Sequence, residues 1–365
     1  MSHNPLLSAP ELSELITRTR VIGADSSLVV FGGGNTSAKG TVTLENGTSH
    51  RVMWIKASGG DMATATESTF APLDLDMIDE LRAHQDLTDE QMVELVAKTS
   101  LLQGAPRPSI ETLLHGFMPF THIDHVHADA ICALTNHPDG ESATREALGD
   151  EWAYVEWMRS GFPLSKVVEK LGDYRGVVLA HHGVITWAET SKECLQETHD
   201  VVAKAQEYLD SRSKTSTSIS VAAPAISEVV PRIRAGMSAT TAVVVRVDDR
   251  FLEIANRSDV NEVVSAGVSS ADHMLRIRPF SMVVSDSSLE GIDAAFAAYR
   301  ADYDAYTQRN LALLPEGYDL FEGVPRVALV PGLGAVTAGK TLAEAEMVAD
   351  IALHTHQVAA RVRDC

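Results

Sequence analysis

The stretch Thr121-His122-Ile123-Asp124-His125-Val126-His127 decides how the rest of the chain is interpreted. It predicts a strand that ends in polar residues. In a strand, side chains alternate between two faces, so positions i and i+2 point the same way. His125 and His127 are therefore expected to project side by side from one face. Neutral imidazole is the commonest metal ligand and suits Zn²⁺, so this spacing predicts a chelating pair.

A second histidine-bearing corner supplies a candidate third ligand. Residues 176–187 contain two apolar, strand-like runs that meet at His181-His182-Gly183. Alternation places only one of His181 and His182 on a given face. That one would complete a three-histidine site with an open fourth position, which is typical of a catalytic zinc. The competing interpretation is a set of packed or surface histidines, but apolar strands rarely gather polar groups without a use.

A short helix is predicted just upstream of these strands. Pro108-Ser109 is typical of a helix start, with Ser109 as the cap. Glu111 then falls in the first helical turn, near the histidine-bearing strand. The apolar face of this helix is expected to be buried and to consist of Ile110, Leu113, Leu114 and Phe117.

Two strand-like runs are followed by corners of small residues. Residues 27–31 precede the corner at 32–37, and residues 52–56 precede the corner at 57–61. Backbone amides in such corners can approach an anion closely. Together with Ser109 at a helix start they predict one phosphate cradle, whereas a plain hairpin turn explains the glycines alone equally well.

The composition and charge of the chain exclude some classes of function. The chain has 365 residues and a formal net charge of −20, which argues against a general nucleic-acid or anionic-membrane partner. The charge does not exclude an anionic small substrate, because local amides can bind phosphate. We find no apolar run of membrane-spanning length and no secretory signal pattern in residues 1–10. Three cysteines without C-x-x-C spacing favour a reducing, cytoplasmic location.

The chain is predicted to contain two domains of α/β class. Residues 1–212 are expected to form a mixed, mainly antiparallel sheet of the α+β type with flanking helices. Residues 213–224 are interpreted as a serine-rich linker, and residues 225–365 as a smaller accessory α/β domain of unknown role. Within it, residues 334–341 match the P-loop expression, but only one helix follows. We interpret this segment as a tight turn that caps the last helix.

Five motifs stand in the order of a known family: Gly34-Asn35-Thr36-Ser37, Lys56-Ala57-Ser58-Gly59, Ser109-Ile110-Glu111, His125-Val126-His127 and Ala180-His181-His182-Gly183. Over about residues 10–210 they resemble the class II aldolase/adducin family. Residues 106–115 and 330–334 are also similar to the aldolase part of bifunctional rhamnulose-1-phosphate aldolase/short-chain dehydrogenases. No strand–GxGxxG–helix unit accompanies them in this sequence, so we expect no dehydrogenase domain and no NAD site.

The resemblance implies roles for individual residues. It makes His125, His127 and His182 the ligands of a Zn²⁺ ion or another divalent transition metal, with His181 as a neighbour. It makes Glu111 the catalytic residue. The positions that it implies for binding the substrate phosphate are Asn35, Ser58, Gly59 and Ser109.

The resemblance also implies an activity, namely cleavage of a ketose 1-phosphate of the rhamnulose or fuculose type. The products would be dihydroxyacetone phosphate and an aldehyde. Glu111 is expected to move a proton, with a pKa raised by partial burial, and Lys56 to be an electrostatic helper or merely exposed. Relatives of this kind form symmetric tetramers, so a homo-oligomer is expected.

Three alternatives remain open. The same metal and cradle could serve 4-epimerisation of a pentulose phosphate, or dehydration of a sugar phosphate. An adducin-like, non-catalytic interaction module is a different class of function. The presence of Glu111 together with the three histidines argues against that module, because a scaffold has no use for a set of metal ligands.

Overall fold

The structure is a computed structural model that describes residues 4–239, 241–314, 317, 320 and 322–365. The chain divides into two compact units, Met1–Arg212 and Ser213–Cys365. Each unit contains its own sheet. A search of the described helices finds none with the length and apolar character that a membrane span requires.

Unit 1 contains helices on both sides of a sheet. Its α-helices are α1 (Pro10–Ala24), α2 (Leu75–Glu80), α3 (Asp89–Lys98), α4 (Thr112–Phe117), α5 (Asp129–Asn136), α6 (Gly140–Leu148), α7 (Phe162–Val168) and α8 (Ser191–Arg212). Its strands are β1 (Asn35–Thr43), β2 (Ser49–Lys56), β3 (Phe70–Asp74), β4 (His122–Val126), β5 (Trp152–Val155), β6 (Gly176–Leu179) and β7 (Gly183–Ala188). Short 3₁₀ turns lie at Glu67–Thr69 and Leu81–Ala83.

In the described part of unit 1, seven strands form one sheet in the order β3-β2-β1-β4-β7-β6-β5. The pair β5–β6 is parallel, and the other neighbouring pairs are antiparallel. The predicted mixed, mainly antiparallel sheet with flanking helices is therefore confirmed. Strand β4, which carries the histidine pattern, lies in the middle between β1 and β7.

The predicted strand at residues 27–31 is wrong, because this segment consists of turns and coil. The strand begins later, at Asn35, so the glycines precede β1 instead of following a strand. Gly34 has φ +63°, and a Cβ there would lie 2.7 Å from the carbonyl oxygen of His125. This close approach needs a glycine, and it brings β1 directly against β4.

The predicted helix that starts at Pro108-Ser109 also needs correction. Ile110 is exposed, because α4 begins only at Thr112. The other three members of the predicted apolar face are buried, as expected: Leu113, Leu114 and Phe117.

Unit 2 packs helices against a smaller sheet. Its α-helices are α9 (Ile226–Met237), α10 (Leu252–Ala255), α11 (Val260–Ser265), α12 (Ala271–Ile277), α13 (Leu289–Asn310) and α14 (Leu342–Asp364). Its strands are β8 (Val244–Asp248), β9 (Met282–Val283), β10 (Val327–Val330) and β11 (Gly334–Gly339). The strands that the structure describes here follow the order β8-β11-β10-β9. Its 3₁₀ turns lie at Asp249–Phe251 and Leu311–Leu313.

The segment that matches the P-loop expression is not a phosphate loop. Its residues Gly334–Gly339 form strand β11 and pair with β10 and β8. The Thr341 side chain accepts a hydrogen bond from the backbone N–H of Glu344 and so caps α14. The interpretation is therefore correct for the cap of the last helix, but it is wrong for most of the segment, which is a strand and not a tight turn.

A buried ion pair lies on one face of β4. The Arg18 Nε on α1 donates to Asp124 Oδ1 on β4 at 2.9 Å, and both residues are at most 2% exposed. The same guanidinium donates to the carbonyl of Ser37 on β1 and to Ser191 Oγ on α8, each at 2.8 Å. One cation therefore joins four elements of unit 1.

We predict that Asp124→Ala destabilises unit 1 far more than removal of an exposed acid. The substitution leaves the Arg18 charge buried without its carboxylate, which costs about 3–5 kcal/mol. Glu94→Ala on α3 is the control, because Glu94 forms an exposed pair with Lys98 worth about 0.5 kcal/mol. Urea unfolding of the full chain, followed by circular dichroism, measures both. Equal shifts of the unfolding midpoint would contradict the assignment.

Candidate metal centre

Three imidazoles converge at the end of β4. The Nε2 atom of His125 lies 3.0 Å from Nε2 of His127 and 3.3 Å from Nε2 of His182. Their candidate ligand atoms all lie within 4.8 Å of one another. A search of the described residues for clustered histidine, cysteine and acidic side chains returns this one group. The structure thus brings together His125 of β4, His127 just after that strand, and His182 from the His-His corner.

The corner before β7 determines which of the adjacent histidines faces the cluster. His181 has a left-handed backbone with φ +54°, and its exposed ring lies with Nδ1 2.9 Å from Asn136 Oδ1. The turn directs His182 to the opposite side, toward the cluster. Gly183 packs closely behind it, since a Cβ there would lie 2.3 Å from the carbonyl oxygen of Val126.

The His125 ring is held in one tautomer. Its Nδ1 lies 3.1 Å from the carbonyl oxygen of Val184. A carbonyl oxygen can only accept, so Nδ1 carries the proton and Nε2 presents its lone pair to the cluster. This is the arrangement in which a backbone acceptor orients a metal-ligating histidine. Convergent imidazole lone pairs form a donor set that suits a divalent transition metal.

The Glu111 carboxylate lies against the same imidazoles. Its Oε2 is 3.5 Å from His125 Nε2, and its Oε1 is 3.4 Å from His182 Nε2. Asn35 Nδ2 donates to Oε2 at 2.6 Å, and Ser160 Oγ donates to Oε1 at 3.2 Å. Each carboxylate oxygen is therefore fixed by one donor from a different part of the chain.

The electrostatic environment of Glu111 differs from the expectation. Burial of the carboxyl raises its pKa, but the neighbouring imidazoles of His125, His182 and His127 outweigh burial and hold the pKa well below its usual range. The expectation of a raised pKa considered only burial and is therefore wrong. Glu111 also lies just before α4 and not in its first turn. It is a buried carboxylate, which can accept a proton.

The candidate phosphate-binding residues fall near one another. Asn35 Nδ2 lies 3.2 Å from Ser109 Oγ, so these two side chains are in direct contact beside Glu111. The exposed Ser58 lies with Oγ 3.5 Å from the carbonyl oxygen of Pro108, the residue before Ser109. Gly59 follows in a left-handed turn with φ +74°.

Lys56 connects two of the small-residue corners. Its side chain is only 1% exposed, so the interpretation as a merely exposed lysine is wrong. The ammonium donates to the carbonyl oxygens of Gly34 and Ala57, both at 3.3 Å. The lysine thus holds together the turns that precede β1 and follow β2.

Two polar side chains near the centre escaped the sequence analysis. Ser160 lies in the loop between β5 and α7, where nothing in the local pattern distinguishes it from a solvated serine. His115 on α4 is fully buried, with Nδ1 2.7 Å from Ser37 Oγ. Burial, followed by the nearby His125, lowers the pKa of His115 to about 3, so its ring is neutral. The only feature of the sequence that could have indicated His115 is its position four residues after Glu111.

Comparison with family models places both units. The model of the class II aldolase and adducin N-terminal domain matches residues 13–209. A model described as the second domain of class II aldolase matches residues 223–365.

A curated relative is the protein called uncharacterized oxidoreductase YuxG from Bacillus subtilis (strain 168), which is 31% identical over 356 residues. The match covers 91% of this chain and 51% of the relative, so the chain spans about half the length of that protein. A solved N-terminal class II aldolase domain from Thermoplasma acidophilum is 31% identical with a TM-score of 0.52, covering 55% of this chain and 94% of that one. The sugar-phosphate aldolase of Thermotoga maritima is 16% identical with a TM-score of 0.42, covering 55% and 94%.

Adjacent histidines provide a matched test of the centre. His182→Asn removes an imidazole from the cluster, so we expect zinc affinity to fall by at least about 100-fold. His181→Asn is the control, because its exposed ring faces away and asparagine tolerates a left-handed backbone. Competition with a chromogenic zinc chelator measures both affinities. Similar losses in the two variants would contradict the cluster as the metal site.

Proposed function

The chain belongs to the class II aldolase and adducin family, and from this premise we propose that it is a zinc-dependent aldehyde-lyase. The proposed substrate is a ketose 1-phosphate of the rhamnulose or fuculose type, and the products are dihydroxyacetone phosphate and an aldehyde. The observation that carries the proposal is the contact between the Glu111 carboxylate and the three-imidazole cluster. A buried base beside a metal-binding donor set is what proton transfer next to a polarised carbonyl requires.

The imidazoles of His125, His127 and His182 would hold the metal. Zinc is the ion that we propose, because neutral imidazole nitrogens suit it and three protein ligands leave a position open for substrate. When bound, the ion supplies Lewis-acid charge for the oxygens of the substrate.

Glu111 would carry the proton. During cleavage the C4 hydroxyl would lose its proton to the Glu111 carboxylate, the bond between C3 and C4 would break as the C4 oxygen becomes the aldehyde carbonyl, and the electron pair of the broken bond would stay with C3. The Glu111 carboxyl formed in this way would then deliver its proton to C3. In the synthetic direction the carboxylate removes that proton from dihydroxyacetone phosphate. Asn35 and Ser160 hold one carboxylate oxygen each, so the group is oriented before substrate arrives.

The substrate phosphate would bind beside this carboxylate. We propose Asn35, Ser58, Gly59 and Ser109 as its partners, because they offer short side-chain donors and a left-handed glycine turn near Glu111. Asn35 also donates to the carboxylate, so occupation of the phosphate position and orientation of the base would depend on each other.

Some expectations from the sequence are retained as proposals. They are the metal-bearing domain at residues 1–212, the linker at 213–224, the accessory domain at 225–365, a homo-oligomeric assembly and a cytoplasmic location.

The proposal predicts the behaviour of Glu111→Gln. This variant keeps the shape of the side chain but loses the base, so the rate of triose-phosphate release should fall by about 10²- to 10⁴-fold while bound zinc remains. Glu94→Gln, an exposed glutamate on α3, is the matched control. The assay uses the zinc-loaded full chain with rhamnulose and fuculose 1-phosphates.

The same assay identifies the other chemistries. Inversion of the substrate without fragmentation would indicate an epimerase, and loss of water would indicate a dehydratase. Undiminished cleavage by Glu111→Gln would contradict the assigned role of the glutamate.

A further inference from the structure

A positively charged cavity lies in unit 2, and none of its lining residues belongs to the metal centre. Its volume is about 230 Å³. Among the described residues, three cationic side chains line it, from Arg278, Arg326 and Lys340, together with the acidic Glu322. A concentration of cations is unusual in a chain whose formal net charge is −20.

The sheet explains how two of these cations meet. Arg326 lies just before β10, and Lys340 lies just after β11. Since β10 and β11 are antiparallel neighbours, the start of one strand and the end of the other lie at the same edge. The N–H of Ala338 donates to the carbonyl oxygen of Arg326 at 2.9 Å, which fixes this alignment.

Glu344 on α14 holds both positions in place. Its Oε1 accepts from Arg326 Nη1 at 2.8 Å, and its Oε2 accepts from the backbone N–H of Lys340 at 2.7 Å. Counting Glu322 and Glu344 against the three cations leaves a net charge of +1 around the cavity. The local charge is thus positive even after its acidic neighbours are included.

The backbone of Arg278 is strained. Its backbone has φ 74° and ψ 170°, a region that is essentially restricted to glycine and strained for other residues. Its side chain is partly buried. Burial lowers the pKa of Arg278, and the charge of Arg326 lowers it further, so the two guanidinium groups repel each other. Strained residues persist where the surrounding structure imposes them, and they concentrate at functional sites.

We propose that this cavity binds a small phosphate anion, either inorganic phosphate or a compact phosphate monoester. The planar guanidinium groups of Arg278 and Arg326 would each offer paired N–H donors to phosphate oxygens, and Lys340 would add a point charge. An anion between the two guanidinium groups replaces their repulsion by two attractions. Lys340 comes from the segment that matches the P-loop expression, but it acts here from the end of a strand. This site goes beyond the proposed lyase activity and does not depend on it.

The test is calorimetric titration of the full chain with inorganic phosphate. We expect Arg278→Gln and Lys340→Gln each to weaken phosphate binding by about tenfold or more, because each removes a charge-assisted hydrogen bond. Lys214→Gln is the control, since it removes an exposed lysine of unit 2 that does not line the cavity. Lys340 is exposed, so its variant should fold even if substitution of Arg278 disturbs the structure.

Arg278→Gly tests the strain separately. Glycine adopts this backbone region freely, and the variant also removes one of two repelling charges. We expect its thermal midpoint without phosphate to be at least that of the native chain, while its phosphate-dependent rise in midpoint is lost. A structural role alone would instead lower the midpoint without phosphate.

Two results would overturn the proposal. One is the absence of phosphate binding by the native chain. The other is native affinity in both Arg278→Gln and Lys340→Gln, which would place any observed binding elsewhere, for example at the metal centre of unit 1.

Discussion

The alternation of side chains along β4 is the constraint on which unit 1 depends. Neighbouring residues of this central strand point to opposite faces, so Asp124 and His125 have different environments. Asp124 receives the buried guanidinium of Arg18, which joins α1, β1 and α8 to the strand. His125 faces the imidazole cluster and Glu111. A shift in register by one residue would exchange these two environments and abolish both.

Much of the candidate site was predictable because its signals are local. The His-x-His spacing of His125 and His127 requires only that this segment is extended, as the sequence predicts. Ser160 and the pKa of Glu111 were not predictable, because both depend on segments that meet only in the folded chain. The strand expected at residues 27–31 failed for a similar reason. Leu28 and Val29 of this segment are buried in a turn and not in a strand, and an apolar run alone does not distinguish these two structures.

The two units use charge in opposite ways. In unit 1 a carboxylate is buried against three imidazoles, and its pKa lies below the usual range. In unit 2 cations gather around a cavity in an otherwise acidic chain. Both arrangements hold in fixed positions groups that burial or a neighbouring charge disfavours. Groups placed in this way lower the stability of the fold. Their positions are the basis of the function proposed for each unit.

X-ray absorption spectroscopy of the zinc-loaded full chain tests the central claim most directly. The account predicts about one zinc per chain, with three imidazole nitrogens at about 2.0–2.1 Å in the first coordination shell. A chain that binds no zinc, or one whose zinc is surrounded by oxygen or sulfur without imidazole scattering, would contradict the three-histidine centre and the lyase proposal that depends on it.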